Sequence, residues 1–181
     1  MKITVIVVGR AAAPLKDAIL EYETRAGRYW KFNVIEVASG AGGRAKAHAD
    51  RVIEAEEALL LARLPEHAQI VAITRTGRGM SSADLADYLQ DHALHSTADV
   101  CFVVGGAFGL GAGILDRAQK QWSLSDCTLP HELARLVLAE QLYRAGTIIK
   151  NEPYHKGPPS TGQRSRSPEQ HRSPSSKGHR A

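Results

Sequence analysis

Short apolar runs alternate with helical patterns over most of this chain. Residues 2–9 form a nearly unbroken apolar run closed by a glycine, which predicts a buried first strand. A helix is expected from about Pro14, a residue suited to a first helical turn, to about Arg28. Residues 32–37 read as a second strand, and the glycine-rich stretch 39–43 as a loop. Strong helix formers with one polar face predict a helix over 47–63. A third strand covers 69–74. Thr76, Gly77, Arg78 and Gly79 then turn the chain, and Ser81 or Ser82 caps a helix running to about His92. A fourth strand over 100–104 ends in Gly105-Gly106 ahead of a further helix. Residues 122–124 suit a short fifth strand, and 131–149 a long helix. The alternation predicts an α/β domain with a mainly parallel sheet and helices on both of its faces. No internal repeat is present.

Composition changes this picture at one place. From Gly157 to the end the chain turns to Pro, Ser, Gly, His and Arg, with no aromatic residue and no Leu, Ile or Val. Such a segment buries too little to offset the entropy of ordering, so 157–181 is expected to be a disordered basic tail beside a domain of residues 1–156. The tail reads either as a solvated end or as an arm that tracks phosphates. It also holds the whole of the chain's net charge of +4. The preceding 156 residues balance their acids and bases, so any RNA surface there must be a local patch.

The hydrophobic fraction of 43% suffices for a core in a chain of 181 residues. No apolar run approaches a membrane span, and the opening residues read as a strand rather than a leader. The two cysteines, Cys101 and Cys127, make neither a disulfide framework nor a metal-binding pair. A cytoplasmic protein without a metal is expected.

Candidate chemistry gathers at three stretches. Residues 103–111 place Gly105, Gly106, Gly109 and Gly111 just after a buried strand, where α/β sheets bind ligands. The spacing fits neither a dinucleotide fingerprint nor a phosphate-binding P-loop, and a plain tight turn explains it equally. In 122–131, Ser123, Ser125 and Thr128 precede Leu129-Pro130-His131 at the head of the last helix. This segment could read an adenine edge through its backbone, or simply start the helix. Glu140 and Arg144 are spaced as a surface pair worth about 0.3–0.5 kcal/mol. Asn151, Glu152, Pro153, Tyr154, His155 and Lys156 close the domain, with Pro153 ending the helical pattern.

Together these stretches resemble the ribosomal RNA large-subunit methyltransferase H family, a SPOUT methyltransferase family. The resemblance covers about residues 1–156. It rests on the opening strand, Gly105-Gly106-x-x-Gly109-Leu110, Trp122-Ser123-Leu124-Ser125 with Thr128-Leu129-Pro130-His131, Glu140-Gln141-x-Tyr143-Arg144-Ala145, and Asn151-x-Pro153-Tyr154-His155-Lys156. It implies a trefoil-knotted C-terminal half, a rare exception to unknotted topology. It also implies a homodimer whose active site forms at the subunit interface, with S-adenosyl-L-methionine as cofactor. The implied cofactor contacts are Ile73, Gly105, Leu124, Ser125, Asp126, Cys127, Thr128 and Leu129, with Gly105 admitting the cofactor to the main chain. His131, Arg135, Arg144, Tyr154, His155 and Lys156 are implied to face RNA. Ala107 departs from the usual Pro or Ser, Asp126-Cys127 from a more apolar pair, and Lys156 from a frequent Arg, which loses bidentate phosphate geometry.

The implied reaction is N3-methylation of a pseudouridine in large-subunit ribosomal RNA, free in the subunit or in the assembled ribosome. The N3 proton must leave before that nitrogen attacks a methyl carbon. His155 is the candidate base, Tyr154 the residue that stacks on or orients the acceptor, and His131 the alternative base. Three other readings stand beside this one: an enzyme of the same class acting on transfer RNA or another ribosomal nucleotide, a non-catalytic ribosome-binding module, and a metabolite-binding α/β protein.

Overall fold

A computed structural model describes residues 1–40, 49–95 and 99–155, the last by its backbone alone. Five parallel strands, β1 (Lys2–Val8), β2 (Lys31–Val37), β3 (Ala68–Gly79), β4 (Asp99–Val104) and β5 (Lys120–Ser123), lie in the order β2-β1-β4-β3-β5. They alternate with α1 (Lys16–Ala26), α2 (Ala49–Leu61), α3 (Ser82–His95), α4 (Ala112–Arg117) and α5 (His131–Ile149), and a 3-10 turn spans Pro153–His155. The expected α/β class, a mainly parallel sheet with helices, is the one observed.

The two-residue period of the strands sorts their side chains into two cores. Ile3, Val5 and Val7 of β1, with Val100, Phe102 and Val104 of β4, face α1, α3 and α5. Ile6 and Val8, with Cys101 and Val103, face the side that α2 and α4 close through Leu60 and Ile114. Strands buried on both faces are continuous apolar runs for this reason. Burial also pushes the Cys101 thiol up to about 12, so it behaves as a small apolar group.

Two local features differ from expectation. The segment 76–79 extends β3 instead of turning the chain. After a bulge between Ile73 and Arg78, Arg78 pairs with Trp122 and Gly79 with Ser123. Gly77 is needed there because an added Cβ would lie 2.7 Å from the backbone of Gln121 and Trp122. The glycine permits a close strand crossing, a role local sequence cannot distinguish from a turn. Secondly, α1 starts at Lys16, so Pro14 precedes it. The helix expected beyond the glycine loop is present as α4, only six residues long. Its first turn is held by Glu57, whose Oε1 accepts the Gly113 N–H at 2.5 Å. The cap of α3 is as expected: Ser81 Oγ accepts the Asp84 N–H at 3.1 Å, and Asp84 accepts the Ser81 N–H at 2.9 Å. The expected tail, 157–181, and Lys156 lie outside the described residues.

Candidate active site

The strands all point one way, so their C-terminal ends form one edge of the sheet. There a cavity of about 420 Å³ opens between the ends of β3 and β4 and the segment joining β5 to α5. That volume suits a nucleoside-sized cofactor. Its walls are the end of β3 from Ile73, the loop from Gly105 to Leu110, and the run from Ser123 to Leu129, with His131 and Ala134 of α5. Of the expected cofactor contacts, Ile73, Gly105, Leu124, Ser125, Cys127, Thr128 and Leu129 all line it. Asp126 is exposed and outside the lining. The segment is braced from within. Ser123 Oγ donates to the Ser125 carbonyl at 2.9 Å, and Ser125 Oγ accepts the Cys127 N–H at 2.9 Å.

The glycine loop has its own steric logic. An added Cβ on Gly105 would lie 2.5 Å from the Gly109 carbonyl oxygen. Gly109 takes φ +88° and returns its N–H to the Gly106 carbonyl at 3.1 Å. Gly105 is therefore demanded by the fold-back of its own loop, not only by the approach of a ligand. Below the loop, the buried Glu56 carboxylate packs against Gly106 and accepts the Gly40 N–H at 3.0 Å.

His131 stands at the first position of α5. Its ring lies on the main chain of Gly9, where an added Cβ would come 3.0 Å from Nε2. Gly9 takes φ +88°. The sequence gives no sign of that contact, which joins residues far apart in the chain.

Arg135 corrects the expectation of an RNA-facing group. It is 4% exposed, and its guanidinium donates to Glu23 at 2.7 Å and Glu36 at 2.6 Å. It lies one helical turn beyond His131 on the same face of α5, further along the helix and against α1 and β2. Burial works to lower its pKa, but bonds to the two carboxylates outweigh this and raise it. At Glu36 burial works to raise the carboxyl, while the bonds from Arg135 and the Ala11 N–H hold it below its ordinary value.

Tyr154 lies elsewhere. Asn151, at φ 53°, ends α5 in a left-handed turn, with the Glu152 N–H returning to the Thr147 carbonyl at 2.8 Å. The chain doubles back, so the Tyr154 ring packs on Tyr143 with centroids 4.6 Å apart. Its hydroxyl donates to Glu140 at 3.1 Å. Arg144 donates to the same carboxylate and stacks 4.9 Å over the Tyr154 ring. Burial, followed by hydrogen bonding to Tyr22 and the charge of Glu140, raises the phenol pKa. At 1.5 Å per residue, Glu140 and Arg144 lie roughly 14–20 Å along α5 from His131. One chain thus does not bring Tyr154 to the cavity. Among the described residues no cluster of His, Cys, Asp and Glu could hold a metal ion, and no helix is long and apolar enough to cross a membrane.

Residues 1–155 match the family model described as "Predicted SPOUT methyltransferase". Over 157 residues the chain is 50% identical to the Ribosomal RNA large subunit methyltransferase H of Gemmatimonas aurantiaca, covering 86% of this chain and 100% of that protein. It is 40% identical over 162 residues to the protein of that name from Bifidobacterium adolescentis, covering 86% and 100%. It is 38% identical over 156 residues to that from Syntrophotalea carbinolica, covering 86% and 99%. With the family model spanning the whole α/β body and relatives matched over nearly their full length, the chain belongs to the SPOUT methyltransferases, in the ribosomal RNA large subunit methyltransferase H family.

Proposed function

We propose that this protein is an S-adenosyl-L-methionine-dependent methyltransferase that N3-methylates a pseudouridine in large-subunit ribosomal RNA, acting in the cytoplasm as a homodimer. The observation that carries the reading is the cavity at the strand ends, formed by Ile73, the Gly105 loop and residues 124–129 in a member of this family. The residues present fit the cofactor. The walls offer main-chain groups, small hydroxyls and apolar side chains from Ile73, Leu124 and Leu129, which suit an adenine and the aliphatic chain of a methionyl sulfonium. When bound, the cofactor supplies an electrophilic methyl carbon.

The protein's own part is to hold N3 in line and to take its proton. Orientation of this kind supplies several kcal/mol, and a base in hydrogen-bond reach adds about 10²–10⁴-fold. His131 lines the cavity of its own chain. Tyr154 and His155 follow the far half of α5, so a second copy must supply them if they meet the acceptor. That requirement supports the homodimer and keeps His155 as the proposed base, with His131 as the alternative and Tyr154 stacking on the acceptor. Arg144 and Lys156 complete the proposed RNA-facing set. The tail 157–181 is proposed as a basic arm on phosphates.

The test has two arms. Calorimetry with S-adenosyl-L-methionine is expected to show binding without added metal. Mass spectrometry of large-subunit RNA from a deletion strain should lack one methylated pseudouridine, restored by the gene. A methyl group restored at a different nucleotide, or in transfer RNA, would overturn the substrate assignment.

A further inference from the structure

The edge of the cavity carries two side chains that the fold itself does not use. Phe108 is 48% exposed although it stands among cavity-lining residues. It sits at the tip of the 106–109 turn, which is closed by the Gly109 N–H and by an isolated bridge between Gly106 and Gly109. The turn has little freedom. Gly105 is packed against Gly109, and Gly106 against the Glu56 carboxylate, where an added Cβ would lie 2.6 Å from Oε2. Just beyond, Glu57 pins Gly113. A half-exposed aromatic ring is thus held out on a rigid mount.

Arg75 is the second. It comes from the bulge of β3 between Ile73 and Arg78, lines the same cavity as the glycine loop, and is exposed. Among the described residues it is the one Lys or Arg that lines the cavity, and its guanidinium makes no ion pair or hydrogen bond. Arg25, Arg135 and Arg144 all have carboxylate partners. An exposed ring and an unpaired guanidinium opening on one cavity match a nucleotide, whose base offers a flat face and whose phosphate takes a planar fork.

We propose that Phe108 and Arg75 form the docking pair for the acceptor nucleotide, with Phe108 stacking on its base and Arg75 holding a flanking phosphate. The donor also carries an aromatic ring and a carboxylate. Its place, however, is the main-chain-lined wall from Ile73 and residues 124–129, whereas Phe108 and Arg75 stand at the solvent-exposed edge. The proposal rests on the cavity being the donor site.

The experiment compares Phe108→Ala, Phe108→Leu, Phe108→Tyr, Arg75→Gln and Arg75→Lys with the wild-type chain. It reads S-adenosyl-L-methionine affinity by calorimetry, methyl transfer to large subunits lacking the modification, and oligomeric state by sedimentation. Donor affinity and oligomeric state should stay at wild-type values in all five variants. Phe108→Ala should raise KM for subunits roughly 5- to 100-fold, as loss of one stacked base does. Phe108→Tyr should restore it and Phe108→Leu should not. Arg75→Gln should weaken subunit binding and reduce its salt slope by about one, with Arg75→Lys between. Donor affinity falling in step with activity would assign the ring to the donor's adenine and overturn the proposal. So would full activity in Phe108→Leu, or a changed oligomeric state in Phe108→Ala. A wild-type protein that binds no donor would overturn both this proposal and the donor-site reading beneath it.

Discussion

Replacing Arg135 by Ala separates a structural role from an RNA-binding one. Arg135 joins three elements: its own helix α5, Glu23 of α1 and Glu36 of β2. The side chains of Arg135 and Glu23 are 5% and 11% exposed, so removing the guanidinium strands a carboxylate with little access to water. Breaking a buried pair on one side costs about 3–5 kcal/mol. Glu36, 33% exposed, adds less because solvent screens it. For a domain of this size the loss corresponds to a fall in Tm of roughly 6–20 °C. The pH dependence has a definite sign. Glu36 is held below its ordinary value of 4.5, so its contribution is present above that pH and fades as acid protonates it. The gap between wild type and Arg135→Ala should therefore narrow as pH drops below about 4.5. Thermal unfolding across pH, with subunit binding across salt, measures both. An unchanged Tm together with weaker, less salt-dependent binding would refute the structural assignment and return Arg135 to the RNA surface.

Other outcomes follow from the same geometry. His155→Ala and Tyr154→Ala should cut single-turnover methyl transfer while leaving donor affinity near wild type, and Tyr154→Phe should be milder if stacking dominates. Wild-type rate in His155→Ala would move the base to His131. Gly77→Ala should destabilise by about 1–3 kcal/mol in denaturant titration, because the new methyl meets the β5 backbone; an unchanged midpoint would contradict the close crossing. Truncation after Lys156 should leave folding and donor binding intact and weaken subunit binding most at low salt, since five basic residues leave with the tail. Loss of folded protein on that truncation would show the tail to be part of the domain.

Period and composition determined the elements, because strands buried on both faces and amphipathic helices leave their signatures locally. The sheet class, the span of α5 from His131 to Ile149 and the capping serine of α3 were all legible in this way. The segments that the resemblance implies for a cofactor were legible as ordered motifs, and most converge on one cavity. Tertiary structure decided what depends on which face a residue presents and on distant partners. The resemblance implies an RNA-facing Arg135, yet the packing of α5 on α1 and β2 buries it against Glu23 and Glu36, over a hundred and about a hundred residues away in the chain. Gly77 and Gly79 read as turn residues, yet β5 passing alongside makes them strand. Asp126 shares a segment with five neighbours of similar expectation, yet it alone of the six lies outside the cavity lining. Tyr154 is returned to the middle of α5 by the left-handed Asn151. In each case the deciding term is a contact made across the fold, which no local period or propensity encodes.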